Sequence, residues 1–349
     1  MMQGNRTKKS KKRLWKGSLL IGSVLLVAAI VWGYVQYRVY FLAPTERLAL
    51  SDYYPEMPPD SSHIYIELPV DHQDSSLGSY KGFYLLSPGF TPKQDVIFYL
   101  TDGQQNKVNT QTDFKAFELK LPGMSYVVMG RRGSSPALFP EVYQKGGSVD
   151  YKRAMRLYGT EQQIEDIEKV RQDLEKKGLL PPDGKIMLYG TSGAGILIQE
   201  YLAKYGEHVS KVMLEATGAP DIAIDGEIVN IGSPFTEMMK QESPETLTKL
   251  EDLLSKGKLD VPIINLTEKR RSYPGEVLLL IGDVDNQFSV KAAEVISHAY
   301  PKAKRVVVHD THAMLQNDAA YQSLRKIFFT KGLYSEEMEQ EIKAAAISN

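Results

Sequence analysis

Residues 185–206 read KIMLYGTSGAGILIQEYLAKYG. The six residues to Gly190 form a short apolar run of strand type, and a helix follows without a spacer, ending near Gly206. Between them, YGTSGAG at 189–195 is built mostly from small residues. A serine on so tight a strand-to-helix turn is held with its hydroxyl exposed. It also sits beside the unpaired N–H groups that open the helix, which favour a developing anion. Gly190, Gly193, Ala194 and Gly195 leave room for the bend. The pattern is G-x-S-x-G around Ser192, with Ala194 in the place of the final glycine. The competing reading is a glycine-rich phosphate turn. The segment lacks the lysine and spacing of a P-loop, and it falls too late in the chain for a first-turn dinucleotide fingerprint.

On either side of this stretch, strand and helix signals alternate. HIYIELPV (63–70) and YKGFYLLS (80–87) read as a hairpin, and DVIFYL (95–100) and SYVVM (125–129) as buried strands. A helix is expected over about 160–177, where Ile164, Ile167, Val170 and Leu174 recur every three or four residues, and it stops at Gly178. Beyond the central stretch, VSKVMLEA (209–216), EVLLLIG (276–282) and AKRVVVH (303–309) are strands, VKAAEVISHAY (290–300) is a helix, and a closing helix covers about 313–331. This alternation predicts a mostly parallel sheet covered on both faces. Residues 218–274 interrupt it. They read as a small lid insertion above the carboxyl edge of the sheet, with Ile222, Ile224, Ile228, Phe235 and Met238 to line its mouth. Residues 332–349 read as a polar, acidic amphipathic tail.

Two later segments bear on Ser192. LLLIGDVDNQF puts Asp283 and Asp285 directly after a strand, and VVVHDTHAML puts His309 and His312 at or just past the end of the next. The chain order serine, acid, histidine belongs to one hydrolase architecture and not to the other familiar serine hydrolases. In that arrangement the histidine takes the serine proton, and the carboxylate orients the ring and stabilises its charged form. The bland alternative is a set of solvated loop polars. A metal site is poorly served, because H-x-x-H stands without a supporting ligand cluster and Asp283 with Asp285 does not make a complete oxygen-ligand loop. No metal and no cofactor are expected.

On these residues the chain resembles the α/β-hydrolases, closest in flavour to proline iminopeptidase and tripeptidyl-peptidase-like serine hydrolases, over roughly residues 63–331. The likeness rests on the LPVDH turn, the strand followed by a glycine loop, YVVMGRRGSS, the helix before the elbow, the elbow itself, and the acid and histidine loops. It implies an α/β-hydrolase fold with Ser192 as nucleophile and Asp285 as acid, Asp283 being the neighbouring alternative. It implies His312 rather than His309 as the base, because the family's small–His–small/apolar pattern falls on Thr311-His312-Ala313. The family's His-Gly after the third strand is here Asp102-Gly103-Gln104-Gln105. An oxyanion hole uses backbone N–H groups, so Gln104 and Gly193 are the expected donors. The family's Asp-x-Arg-Gly becomes Gly130-Arg131-Arg132-Gly133, which keeps Arg132 and Gly133 and loses the aspartate. The insertion is shorter than the helical lid of typical iminopeptidases, which turns the expectation away from a pocket for N-terminal proline.

The N-terminus has a different character. Arg6, Lys8, Lys9, Lys11, Lys12, Arg13 and Lys16 precede an uncharged run of 21 residues, Gly17 to Tyr37. As a helix that run is long enough for a bilayer core of about 30 Å. The expectation is a basic cytoplasmic tail (1–16), a transmembrane signal anchor (17–37), a proline-bearing stalk (38–62) and a catalytic domain outside the cell membrane. With Arg38, eight of the 42 basic residues lie before position 40, so the rest of the chain sets 34 against 43 acidic residues, about -9. A nucleic-acid surface on the body is excluded on that balance. There is no cysteine, which rules out disulfides, thiolate metal sites and a cysteine nucleophile. It also suits an exported domain of a Gram-positive bacterium.

The expected function is a membrane-anchored serine hydrolase acting on a small-molecule ester or a peptide through an acyl-enzyme, with an esterase slightly preferred. The alternatives are a proline iminopeptidase-like peptidase and a catalytically silent hydrolase fold used for binding.

Overall fold

Apolar runs without polar alternation, such as Ile97–Leu100 and Glu276–Gly282, suit the middle of a parallel sheet with helices on both faces, and that is where they lie. The computed structural model describes residues 26–34, 62–101, 112–130, 150–218, 273–285, 290–312 and 319–346, with short pieces at 108, 132, 139–142, 223–224, 227–228, 288 and 315. The chain divides into two compact units, Met1–Leu48 with Pro136–Ala154, and Ala49–Ser135 with Met155–Asn349. In the first, the described pieces are a helix at 26–34, a turn at 139–142 and residues 150–154. There the Val142 carbonyl accepts the Asp150 amide at 2.7 Å.

The second unit holds the sheet. Its strands are β1 (His63–Pro69), β2 (Ser79–Leu86), β3 (Ile97–Leu100), β4 (Tyr126–Met129), β5 (Ile186–Thr191), β6 (Val209–Glu215), β9 (Glu276–Gly282) and β10 (Ala303–Val308), in the spatial order β1-β2-β4-β3-β5-β6-β9-β10. A separate two-stranded piece pairs β7 (Ala223–Ile224) with β8 (Glu227–Ile228). In the large sheet β2 runs antiparallel to β1 and β4, and every other pairing is parallel. The carboxyl ends of β5, β6, β9 and β10 therefore open on one edge, the usual place for ligands in open α/β sheets.

Alternate strand residues face opposite layers. Tyr84, Phe98, Val127 and Leu188 pack on one side with Ile164, Ile167, Val170 and Leu174 of the helix Thr160–Lys176, and with Leu197, Ile198 and Tyr201 of the helix Gly193–Tyr205. Phe83, Tyr99, Val128 and Tyr189 face the other layer, with Leu324, Phe328 and Phe329 of the helix Gln322–Lys331. Each expected strand is present within two residues of its expected limits, and Gly178 ends the 160–176 helix region with a left-handed φ of 66°. The segment after Lys331 forms a further helix, Glu336–Ala345. Its N-cap Ser335 accepts the Met338 amide at 3.2 Å, and Met338 is fully buried in the second layer.

The membrane anchor is corrected. Among the described residues, no helix is long and apolar enough to cross a membrane. Within 17–37, the described part is the helix at 26–34. The rest of that segment, the basic tail and nearly all of the stalk lie outside the described residues. With the spanning helix go the expected membrane partnership, the single-pass topology and the cell-membrane location of an outward-facing domain. Of the lid expected at 218–274, Gly218, the pair β7–β8 and Tyr273–Pro274 are described. Ile222, Phe235 and Met238 lie outside the described residues.

Candidate active site

The turn at 189–195 is as tight as its composition requires. Ser192 caps the helix Gly193–Tyr205 with φ 52° and ψ −130°, a left-handed backbone that a non-glycine residue adopts at a cost. The surroundings hold it there. The Ser192 amide donates to the Glu215 carbonyl at 3.0 Å, and the Ser192 carbonyl accepts both the Gly195 amide at 3.0 Å and the Thr217 hydroxyl at 2.6 Å. A Cβ on Gly190 would stand 2.7 Å from Ile198 Cδ1 and 3.2 Å from Ala194 Cβ. Strand and helix thus approach to a distance that Gly190 permits and that still accommodates the methyl of Ala194. Gly193 is the first residue of the helix. Gln104 lies outside the described residues.

The two histidines and two aspartates of the neighbouring loops separate into distinct pairs. His312 Nδ1 lies 2.9 Å from Asp285 Oδ2, and both side chains are buried. The other carboxylate oxygen of Asp285 accepts the Phe288 amide at 3.0 Å. Asp285 follows β9, His312 follows β10, and β9 and β10 are parallel neighbours. His312 Nε2 is buried and has no hydrogen-bond partner among the described residues. Asp283 instead lies against His309, with Nδ1 at 3.1 Å from both carboxylate oxygens, in an exposed pair. That hydrogen bond and the Asp283 charge raise the His309 pKa above its ordinary value.

Phe288 links the histidine loop to the elbow. Its ring lies 5.6 Å from that of His312. It also occupies the space that a side chain at Gly218 would need, with Phe288 Cδ1 2.7 Å from the Cβ such a side chain would carry. Gly218 directly follows Thr217, whose hydroxyl holds the Ser192 carbonyl. A chain of packed groups therefore runs from Ser192 through Thr217, Gly218 and Phe288 to His312.

Sequence reasoning missed two buried polar clusters. Arg132 reaches Asp166 on the helix Thr160–Lys176 at 2.8 and 2.7 Å and also donates to the carbonyls of Val70 and Leu157. Glu215, Lys120, Arg325 and Tyr189 meet beneath the elbow. A charged residue at the end of an apolar strand, as in VSKVMLE, was the available signal for Glu215. Nothing local marks Lys120 or Arg325. Among the described residues no group of three His, Cys, Asp or Glu side chains is arranged to hold a metal ion.

No family model matches the chain, and no curated protein matches it. Among solved structures, it is similar to a membrane phospholipase A described as a bacterial virulence factor (15% identity, 92% of this chain and 99% of that one, TM-score 0.49). It is also similar to an esterase of Pyrococcus furiosus (12%, 84% and 98%, TM-score 0.48) and to an α/β fold family hydrolase of Bacillus anthracis (14%, 81% and 99%, TM-score 0.44). These likenesses do not reach the narrower kinship with proline iminopeptidases or any other peptidase.

Proposed function

We propose that this protein is a serine hydrolase that cleaves a carboxylic ester or amide through an acyl-enzyme, with esters the preferred class. The observation that carries this reading is the His312 ring. Its Nδ1 is held by buried Asp285, and its buried Nε2 lacks a partner among the described residues, on the sheet edge where Ser192 sits at a left-handed turn.

In this reading Ser192 Oγ attacks the carbonyl carbon as its proton passes to His312 Nε2. The Asp285 carboxylate fixes the ring with Nδ1 protonated and stabilises the imidazolium. The oxyanion is met by the Gly193 N–H at the helix start, with the Gln104 N–H as the proposed second donor. Collapse of the tetrahedral intermediate breaks the bond to the leaving alcohol or amine, which takes the proton from Nε2. Water then gives a proton to Nε2 and attacks the acyl-enzyme. The second collapse returns that proton to Ser192 Oγ and releases the acid. This sequence draws on side chains and backbone alone.

A fluorophosphonate probe tests the reading. Wild type should be labelled and Ser192→Ala should not. A folded wild type that resists labelling across the pH range would instead favour a silent hydrolase fold that binds without turning over. A panel of short and long acyl esters and N-terminal-proline amides then separates esterase from peptidase.

A further inference from the structure

The buried charges beneath the elbow have no part in the proposed proton transfers. Glu215, Lys120 and Arg325 are 0%, 2% and 0% exposed. The Glu215 carboxylate accepts Arg325 Nε and Nη2 at 2.6 and 3.1 Å, the Tyr189 hydroxyl at 2.7 Å and Lys120 Nζ at 3.3 Å. Burial pushes its pKa up, but Arg325 and Lys120 more than offset this and hold it below the ordinary carboxylate range, so Glu215 is ionised. The same residue accepts the Ser192 amide through its own carbonyl.

Lys120 also donates to the carbonyl of Leu315. Leu315 lies three residues after His312, and its amide donates to the Thr311 carbonyl at 3.1 Å. Lys120 is itself fixed, since its amide donates to the carbonyl of buried Phe117 at 3.0 Å. One ammonium thus touches both the residue that holds the elbow amide and Leu315, whose own amide is tied to Thr311 beside the histidine. As a stabilising device it is poor. Arg325 already neutralises Glu215 with two hydrogen bonds, and burying a second cation carries a desolvation penalty. Its position between the two loops gives that cost a use.

We propose that Lys120 is a positioning residue that sets His312 Nε2 at its working distance from Ser192, a role that rests on the reading of Ser192 and His312 as nucleophile and base. Displacement of a reacting pair by about 1 Å costs roughly 10²-fold in rate, so the effect belongs in kcat and not in KM.

The absence of cysteine permits a clean test in the full chain. Lys120→Cys introduces a single thiol, which is alkylated in denaturant before refolding. 2-Bromoethylamine restores an ammonium, whereas 1-iodopropane supplies a neutral group of nearly the same shape. Thermal unfolding, Ser192 phosphonylation and kcat and KM on a short-chain ester are then measured. The propylated protein should fold and lose about 10²-fold in kcat with KM nearly unchanged, and the aminoethylated protein should recover about tenfold or more of that loss. Wild-type kcat in the folded propylated protein overturns the role, as does equal slowness in both folded alkylated forms. Lys120→Met, made without unfolding, decides the same question where refolding fails: low kcat at unchanged KM supports the role, and wild-type kcat overturns it. A folded wild type that is not phosphonylated overturns the hydrolase reading itself. A labelled wild type with an indifferent Lys120 overturns the positioning role alone.

Discussion

His312 Nδ1 and Asp285 Oδ2 stand 2.9 Å apart with their side chains 3% and 0% exposed, while two residues earlier on one loop and three on the other, Asp283 and His309 form a second pair that is open to water. Two pairs of identical composition thus occupy opposite environments. Burial strengthens an oriented charge interaction by removing competing water, whereas an exposed pair is screened. Only the inner pair has the setting that general-base chemistry needs.

The two aspartates should therefore separate sharply in kinetics. Asp285→Asn should lower turnover of an activated ester by roughly 10²–10⁴-fold, since it removes the acceptor that fixes the imidazole tautomer. Asp283→Asn should leave turnover within about twofold of wild type, as expected for a screened surface pair. The reverse ranking would make Asp283 the acid and remove the assignment of the inner pair.

The outer pair should instead be visible in pH dependence. The His309 pKa is raised by the hydrogen bond and charge of Asp283, so folded protein holds that proton more tightly than unfolded protein. Its contribution to stability is complete below the unfolded histidine value of about 6.5 and fades as pH rises through the raised folded value. Histidine NMR should show the His309 midpoint falling in Asp283→Asn. Between about pH 5 and 8, the Tm difference between wild type and variant should shrink as pH rises. An unchanged midpoint would contradict the pairing.

Asp166 should behave as a structural carboxylate. It accepts Arg132 at 2.7 and 2.8 Å and lies 2.8 Å from His72 Nε2, with both Arg132 and Asp166 side chains almost fully buried. Asp166→Ala removes a buried countercharge of the guanidinium, and breaking such a buried pair costs about 3–5 kcal/mol. A urea midpoint shifted down with an unchanged slope would report this loss. A midpoint equal to wild type would mean that Arg132 finds compensation elsewhere.

What could be read from the chain and what could not divide along a physical line. Strands such as Ile97–Leu100 and Glu276–Gly282 are buried on both faces, so their positions show as uninterrupted apolar runs. The elbow shows because Gly190 and Gly195 are demanded by approaches too close for a Cβ. Local order also marks Asp285 and His312, each just past a strand. The pairing of Lys120, Glu215 and Arg325 shows in no local pattern, because residues about a hundred positions apart meet only after the sheet has formed. The 17–37 run carried the opposite risk. Its hydropathy predicts a span, and among the described residues no helix is long and apolar enough to cross a membrane.

Gly195 offers the most direct probe of the elbow. A Cβ there would fall 2.5 Å from Thr217 Oγ1 and 2.7 Å from its Cβ and Cγ2, closer than packed atoms tolerate. Thr217 cannot yield freely, because its hydroxyl donates to the Ser192 carbonyl at 2.6 Å. Gly195→Ala therefore either displaces Thr217 or shifts the start of the helix, and both routes disturb the left-handed backbone of Ser192. Overpacking of this kind costs about 1–3 kcal/mol. Thr217→Val keeps the bulk and removes only the hydroxyl, so it should cost about 1 kcal/mol for the lost hydrogen bond. Both variants should slow fluorophosphonate labelling of Ser192 while remaining folded, Gly195→Ala more than Thr217→Val. If Gly195→Ala unfolds at the wild-type temperature and labels at the wild-type rate, the close contact between helix and Thr217 is not what holds the serine in place.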